Sequence, residues 1–235
     1  MSRHRDTASG KLGTAILYTI NGKQFGRSMP GKGIRQSAAT QKRSSAFAIA
    51  AKLASAATRY MVPVFKLKDS DRYRRLTGAF SKWLGKEQLM DKAAGTIPGL
   101  LGFNINPPKF GVERWTDQLQ VTNAGHKLII RINALVPKEM MAKRKDIAAV
   151  QLTICSVAIT RSAVNYAVKA TESILIPFNK ELFAAQTIVQ DLNMPAGSVI
   201  LTGYAIEYFK DDSSPVIMRK GYNPPAKIIY AEWRP

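Results

Sequence analysis

The sequence predicts an α+β chain: an N-terminal β-hairpin with two helices, followed by an antiparallel β-sandwich. Three observations carry that prediction. Asn21-Gly22 separates two β-prone runs, segments 38–61 and 69–90 have helical composition or an apolar period near 3.6, and beyond a Gly/Pro-rich stretch the period changes to two. The chain therefore divides into a basic hairpin–helix module at 1–92, a linker at 93–110 and a β-sandwich domain at 111–235.

Residues 14–28 form the hairpin. Asn-Gly is the strongest short signal for a two-residue turn, because both central positions require φ > 0. With that loop, Ile20 faces Lys23, Tyr18 faces Phe25 and Ile16 faces Arg27, so one face holds two aromatics flanked by two cations. Such a face suits stacked bases with phosphates at its edge. The commoner use of such a pair is cross-strand packing on a neighbouring helix, with the cations at the rim.

A basic loop, Pro30 to Arg35, follows. Gly26 through Lys32 matches G-x-x-x-x-G-K, but Gly33 stands where a P-loop needs a Ser or Thr hydroxyl for Mg²⁺. The segment also follows a hairpin strand and not a parallel βαβ unit, so nucleotide hydrolysis is not expected.

Ser37 or Thr40 would cap the first helix, 38–61, which is rich in alanine and serine. At about 100° per residue, Lys42, Lys52 and Arg59 fall in one stripe while Arg43 points away. That stripe could follow a phosphate backbone, and a solvated helix face explains it equally well. In the second helix Leu76, Phe80, Trp83 and Leu84 recur at i, i+4, i+7 and i+8, which assigns Trp83 to a core.

Gly95, Pro98, Gly99, Gly102, Pro107 and Pro108 mark the linker. Beyond it, Leu128, Ile130 and Ile132 alternate with Ile129, Arg131 and Asn133, and Val150, Leu152 and Ile154 with Gln151, Thr153 and Cys155. Further strands are expected at 173–177, 199–208, 216–219 and 227–233, with a short basic helix or loop at 137–146. Many short strands joined by turns point to a sandwich.

Charge supplies the main functional signal. Thirteen of the first 68 residues are Lys or Arg and only Asp6 is acidic, against 22 basic and 15 acidic groups in the other 167. Such a segment suits a polyanion, an acidic partner or a solvated face. The single cysteine, Cys155, lies in an apolar run, excludes an internal disulfide and is read as a buried thiol. The N-terminus has positive charge but no apolar segment behind it, so no Sec signal peptide is expected, and apolar stretches of about ten residues are too short for a transmembrane helix. A cytoplasmic or virion-associated location follows as the expectation.

Enzymatic chemistry has little support. His4 and His126 are the only histidines, no metal-ligand spacing or Gly-x-Ser-x-Gly elbow is present, and Asp211-Asp212 lies in a turn-forming segment. No catalytic residue, metal or cofactor is assigned.

Gly10 to Gly13, Tyr18, Asn21 to Lys23, Arg27-Ser28, Pro30, Ala39 to Gln41, Arg43-Ser44 and Phe47 together resemble the opening of an uncharacterised family common in Bacteroidota. The resemblance spans about residues 10–61; the Pro30–Ser37 loop departs from that family's asparagine-proline link. It implies a hairpin–helix opening, a β-sandwich-like C-terminal domain and a bacterial or phage source, and it brings no catalytic residues.

Two functions remain. In the first, the basic module binds nucleic acid through phosphates, using Arg3, Arg5, Lys23, Arg27, Lys32, Arg35, Lys42, Arg43, Lys52 and Arg59, with Tyr18 and Phe25 for stacking. A packaging protein with a β-sandwich shell is its most specific form. In the second, the chain is a self-assembling subunit, a homo-oligomer whose hairpin and helix pack on neighbouring sandwiches.

Overall fold

A computed structural model describes residues 10–12, 15–20, 23–28, 37–65, 71–85, 87, 89, 92–106, 114–140, 147–160, 167–179, 181–192, 195–210 and 225–235. The fold is α+β, and the strand pairings among these residues are antiparallel. Its two compact units divide between Gln41 and Lys42.

The first unit contains a three-stranded sheet in the order β1 (Gly10–Leu12), β2 (Ala15–Ile20), β3 (Lys23–Ser28). The register of β2 with β3 is the one the Asn-Gly turn dictates, with Tyr18 opposite Phe25. α1 (Ala38–Phe65) is capped by Ser37, whose Oγ accepts from the Thr40 amide at 3.2 Å.

α1 continues past Pro63, two residues beyond the valine-proline step where helix is disfavoured, and Phe65 at its end is buried. α2 (Arg72–Leu84) is shorter than its apolar period suggests. It stops at Gly85, which adopts φ 60° and donates its amide to the Ser81 carbonyl at 2.9 Å.

In the second unit a large sheet runs β4 (Gly95–Thr96), β12 (Ala226–Arg234), β11 (Ser198–Phe209), β8 (Ala149–Thr160), β9 (Ala167–Pro177), with β5 (Asn104–Asn106) also on β12. A smaller sheet runs β10 (Gln186–Asp191), β7 (Lys127–Ile132), β6 (Leu119–Ala124), preceded by the one-turn α3 (Arg114–Asp117).

Alternation along β8 explains the packing. Val150, Leu152 and Ile154 point to one face and join Ile130, Ile132, Ile206 and Tyr208 in a core shared with the small sheet. Cys155, Val157 and Ile159 point to the other and join Leu53, Ala57, Met61, Leu76, Phe80 and Leu84 of the two helices. Both faces of the central strands are thus covered, which is why β8 and β11 are almost wholly buried and mostly apolar.

The helices expected in a module with the hairpin therefore form, from Lys42 onward, one wall of the body. The Gly/Pro-rich stretch expected as a linker is also built into it. β4 and β5 pair with β12, Ile97, Leu100 and Ile105 are buried, and Arg75 donates to the carbonyls of Asn104 and Ile105 at 2.8 and 3.0 Å. Trp83 meets Trp233 edge to face, with centroids 6.4 Å apart.

Gly203 lies where Met61 of α1 packs on the sheet. A Cβ there would lie 2.8 Å from Met61 Cε and 3.0 Å from the Lys227 carbonyl oxygen, so any larger residue would have to displace the Met61 side chain and crowd that carbonyl. The strand expected at 216–219 lies outside the described residues, as does most of 137–146, of which Pro137–Met140 form a 3-10 turn.

Candidate nucleic-acid interface

The N-terminal sheet brings four of the sequence-predicted residues together. Ile16 pairs with Arg27, Tyr18 with Phe25 and Ile20 with Lys23, so all six share one face. The two rings stack with centroids 5.8 Å apart and planes 21° apart. Tyr18 is 38% exposed, Phe25 43% and Ile20 52%, and every residue of β3 is exposed. The rings are therefore a cross-strand pair, as the commoner reading has it, but a solvent-facing one.

β1 adds a cation that sequence reasoning missed. Lys11 pairs with Ile16, which puts it in one row with Arg27 across the three strands. A three-residue strand has no period to detect; the only signal was the apolar-flanked Lys11 between Gly10 and Gly13. The three strands carry no Asp or Glu, so nothing on this sheet neutralises Lys11, Lys23 and Arg27.

Lys42, Arg43, Lys52 and Arg59 all lie on α1 and are exposed. Lys52 and Arg59 are two turns apart on one stripe, about 10 Å along the axis. Lys52 borders a cleft of about 260 Å³ lined by Ile49, Leu53, Leu89 and Ile159. Arg3, Arg5, Lys32 and Arg35 lie outside the described residues, as does the P-loop-like Gly31 to Gly33.

Cys155 is buried, and that burial pushes its thiol up to about 11, against the weaker opposing influence of the Thr171 hydroxyl and Lys169. A second titratable cluster bridges the two body sheets. Glu232 of β12 accepts from Asn123 Nδ2 of β6 at 2.7 Å and from the Tyr230 hydroxyl. Burial, then the neighbouring carboxylate, raises the Tyr230 phenol above its usual range. The Asn123–Glu232 contact ties β6 to β12, the Tyr230–Glu232 contact lies within β12, and we assign the cluster to packing.

Among the described residues no group of three or more His, Cys, Asp or Glu side chains could hold a metal ion. No described helix is long and apolar enough to cross a membrane. Compared with family models, curated proteins and solved structures, the chain matches none.

Proposed function

We propose that this chain is a non-catalytic, nucleic-acid-binding structural protein whose N-terminal module contacts phosphates. The paired sheets of the body are read with it as a β-sandwich, and residues 10–61 as kin of the Bacteroidota family they resemble. A single observation carries the reading: an exposed sheet face with Lys11, Lys23 and Arg27 around a stacked aromatic pair, on strands without a carboxylate. Cations so placed release counterions when they meet phosphates, which gives affinity with little sequence preference. Arg3, Arg5, Lys32 and Arg35 flank these strands in sequence and add charge. A packaging role would place the protein in the cytoplasm or in a virion.

The test is a salt titration of a fluorescently labelled oligonucleotide against the full chain. If about six phosphates are neutralised, affinity falls by roughly three orders of magnitude between 50 and 200 mM salt. A flat response overturns the proposal.

Self-assembly is the second reading, and two edges favour it. Among the described residues β3 ends the N-terminal sheet and β9 ends the large one, positions where another chain could add a strand, and Ile20 is exposed on the strand next to the first. Light scattering at high micromolar concentration decides it: a monodisperse 25.9 kDa species excludes this reading.

A further inference from the structure

We infer that the N-terminal sheet face takes a single strand of nucleic acid and not a duplex. The inference rests on the nucleic-acid reading above and adds the form of the ligand.

The pairing arranges the face in three rows. Lys11, Ile16 and Arg27 make the first, Tyr18 and Phe25 the second, and Ile20 with Lys23 the third. Successive rows are two residues apart along the strand, about 6.6 Å, so the cationic rows are separated by about 13 Å. Aromatic surface therefore lies between two sets of cations. A strand crossing the rows would set phosphates near the cations on either side and bases over the rings between them.

A duplex has no use for the middle row. Its bases are stacked on one another, and it offers a protein only phosphates, sugars and base edges. An unpaired strand offers base faces, and stacking on aromatics is indifferent to sequence because every base has one. Both rings are exposed, and stacking at 5.8 Å leaves each with a face that the other does not cover. The three strands themselves carry no carboxylate to oppose the phosphates on either side.

The experiment measures binding of the full chain at 50 mM salt to four labelled 20-residue probes. These are oligo-dT, oligo-rU, a blunt DNA duplex and a phosphodiester strand lacking bases. The single strands should bind at least tenfold more tightly than the duplex, and the baseless strand should lose that advantage. The tighter of dT and rU names the nucleic acid concerned. Tyr18→Ala/Phe25→Ala should weaken single-strand binding about tenfold or more and leave duplex binding within twofold.

Equal affinity for single strand, duplex and baseless strand, with steep salt dependence, overturns this inference and leaves the phosphate-binding proposal standing. No salt-sensitive binding to any probe overturns both. The baseless probe keeps the question decidable even if the double variant misfolds.

Discussion

The N-terminal sheet and the large sheet of the body are built from the same antiparallel pairing, yet they dispose of their side chains in opposite ways. In β3 all six residues are exposed, whereas in β11 ten of twelve are buried. The large sheet lies between helices and a second sheet, so each position must fill a defined space. The small one keeps aromatics and cations in solvent on strands that carry no residue of opposite charge. Covered strands are fixed by packing, whereas uncovered strands retain groups whose energy is realised only when something binds. Substitutions should therefore act on stability in one region and on association in the other.

The largest effect is expected at Trp233. It is fully buried, lies edge to face with Trp83 and donates its indole N–H to the Lys92 carbonyl at 3.1 Å. Trp233→Ala removes that packing and leaves a cavity beneath α2, at a cost of about 3–5 kcal/mol. Denaturant unfolding followed by circular dichroism measures it. A cost below about 1 kcal/mol would show that this region is not held as tightly as its burial implies.

That difference between regions also sets what the sequence reveals. The hairpin register was legible because Asn21-Gly22 fixes a two-residue loop and the pairing then follows by counting. The strands at 127–132 and 149–160 were legible from alternation or from an apolar run. The placement of the helices was not. An amphipathic stripe on 72–84 says that Leu76 and Phe80 are buried, but not that the covering surface is Cys155, Val157 and Leu201, about 80 residues or more further along the chain.

Residues 95–106 were read as a linker for a similar reason. Strands of two and three residues have no period, and glycine and proline mask the pairing they make with β12. Gln186–Asp191 was missed because only Ile188 and Val189 break its polarity. At the site, charge and aromatics were visible one by one, and only strand pairing adds Lys11 to their row.

An intermediate effect, with a pH signature, belongs to Cys155. Its folded thiol ionises near 11 instead of at the ordinary value of 9.0, because burial disfavours the thiolate. Above pH 9 the unfolded chain loses this proton before the folded chain does. The native state then binds more protons, and stability falls as pH rises. Below pH 9 the group contributes no slope. From pH 9 to 11 the loss should be on the order of 2 kcal/mol. The raised Tyr230 phenol acts in the same direction from about its ordinary value upward, so Cys155→Ala should reduce the slope without abolishing it. Unfolding free energies measured at pH 8 and 10.5 for both proteins separate the two groups. Equal slopes would remove Cys155 from the account.

The smallest effect on stability is expected where the effect on binding is largest. Tyr18 and Phe25 are solvent-facing and belong to the unit that ends at Gln41. Their mutual stacking stabilises the small sheet locally by about 0.2–1 kcal/mol. Tyr18→Ala/Phe25→Ala should therefore leave the main unfolding transition of the body within about 0.5 kcal/mol of the parent, as substitutions away from a core generally do. The same variant is expected to lose single-strand affinity, so the two readouts move apart. At Trp233, by contrast, the loss should fall on the unfolding transition of the body, to which that residue belongs. A main transition lowered by more than about 1 kcal/mol in the hairpin variant would assign both rings to packing and dissolve the distinction between the regions. An unchanged transition with unchanged binding would leave the rings without a role in either, and the phosphate contacts of Lys11, Lys23 and Arg27 would have to carry association alone.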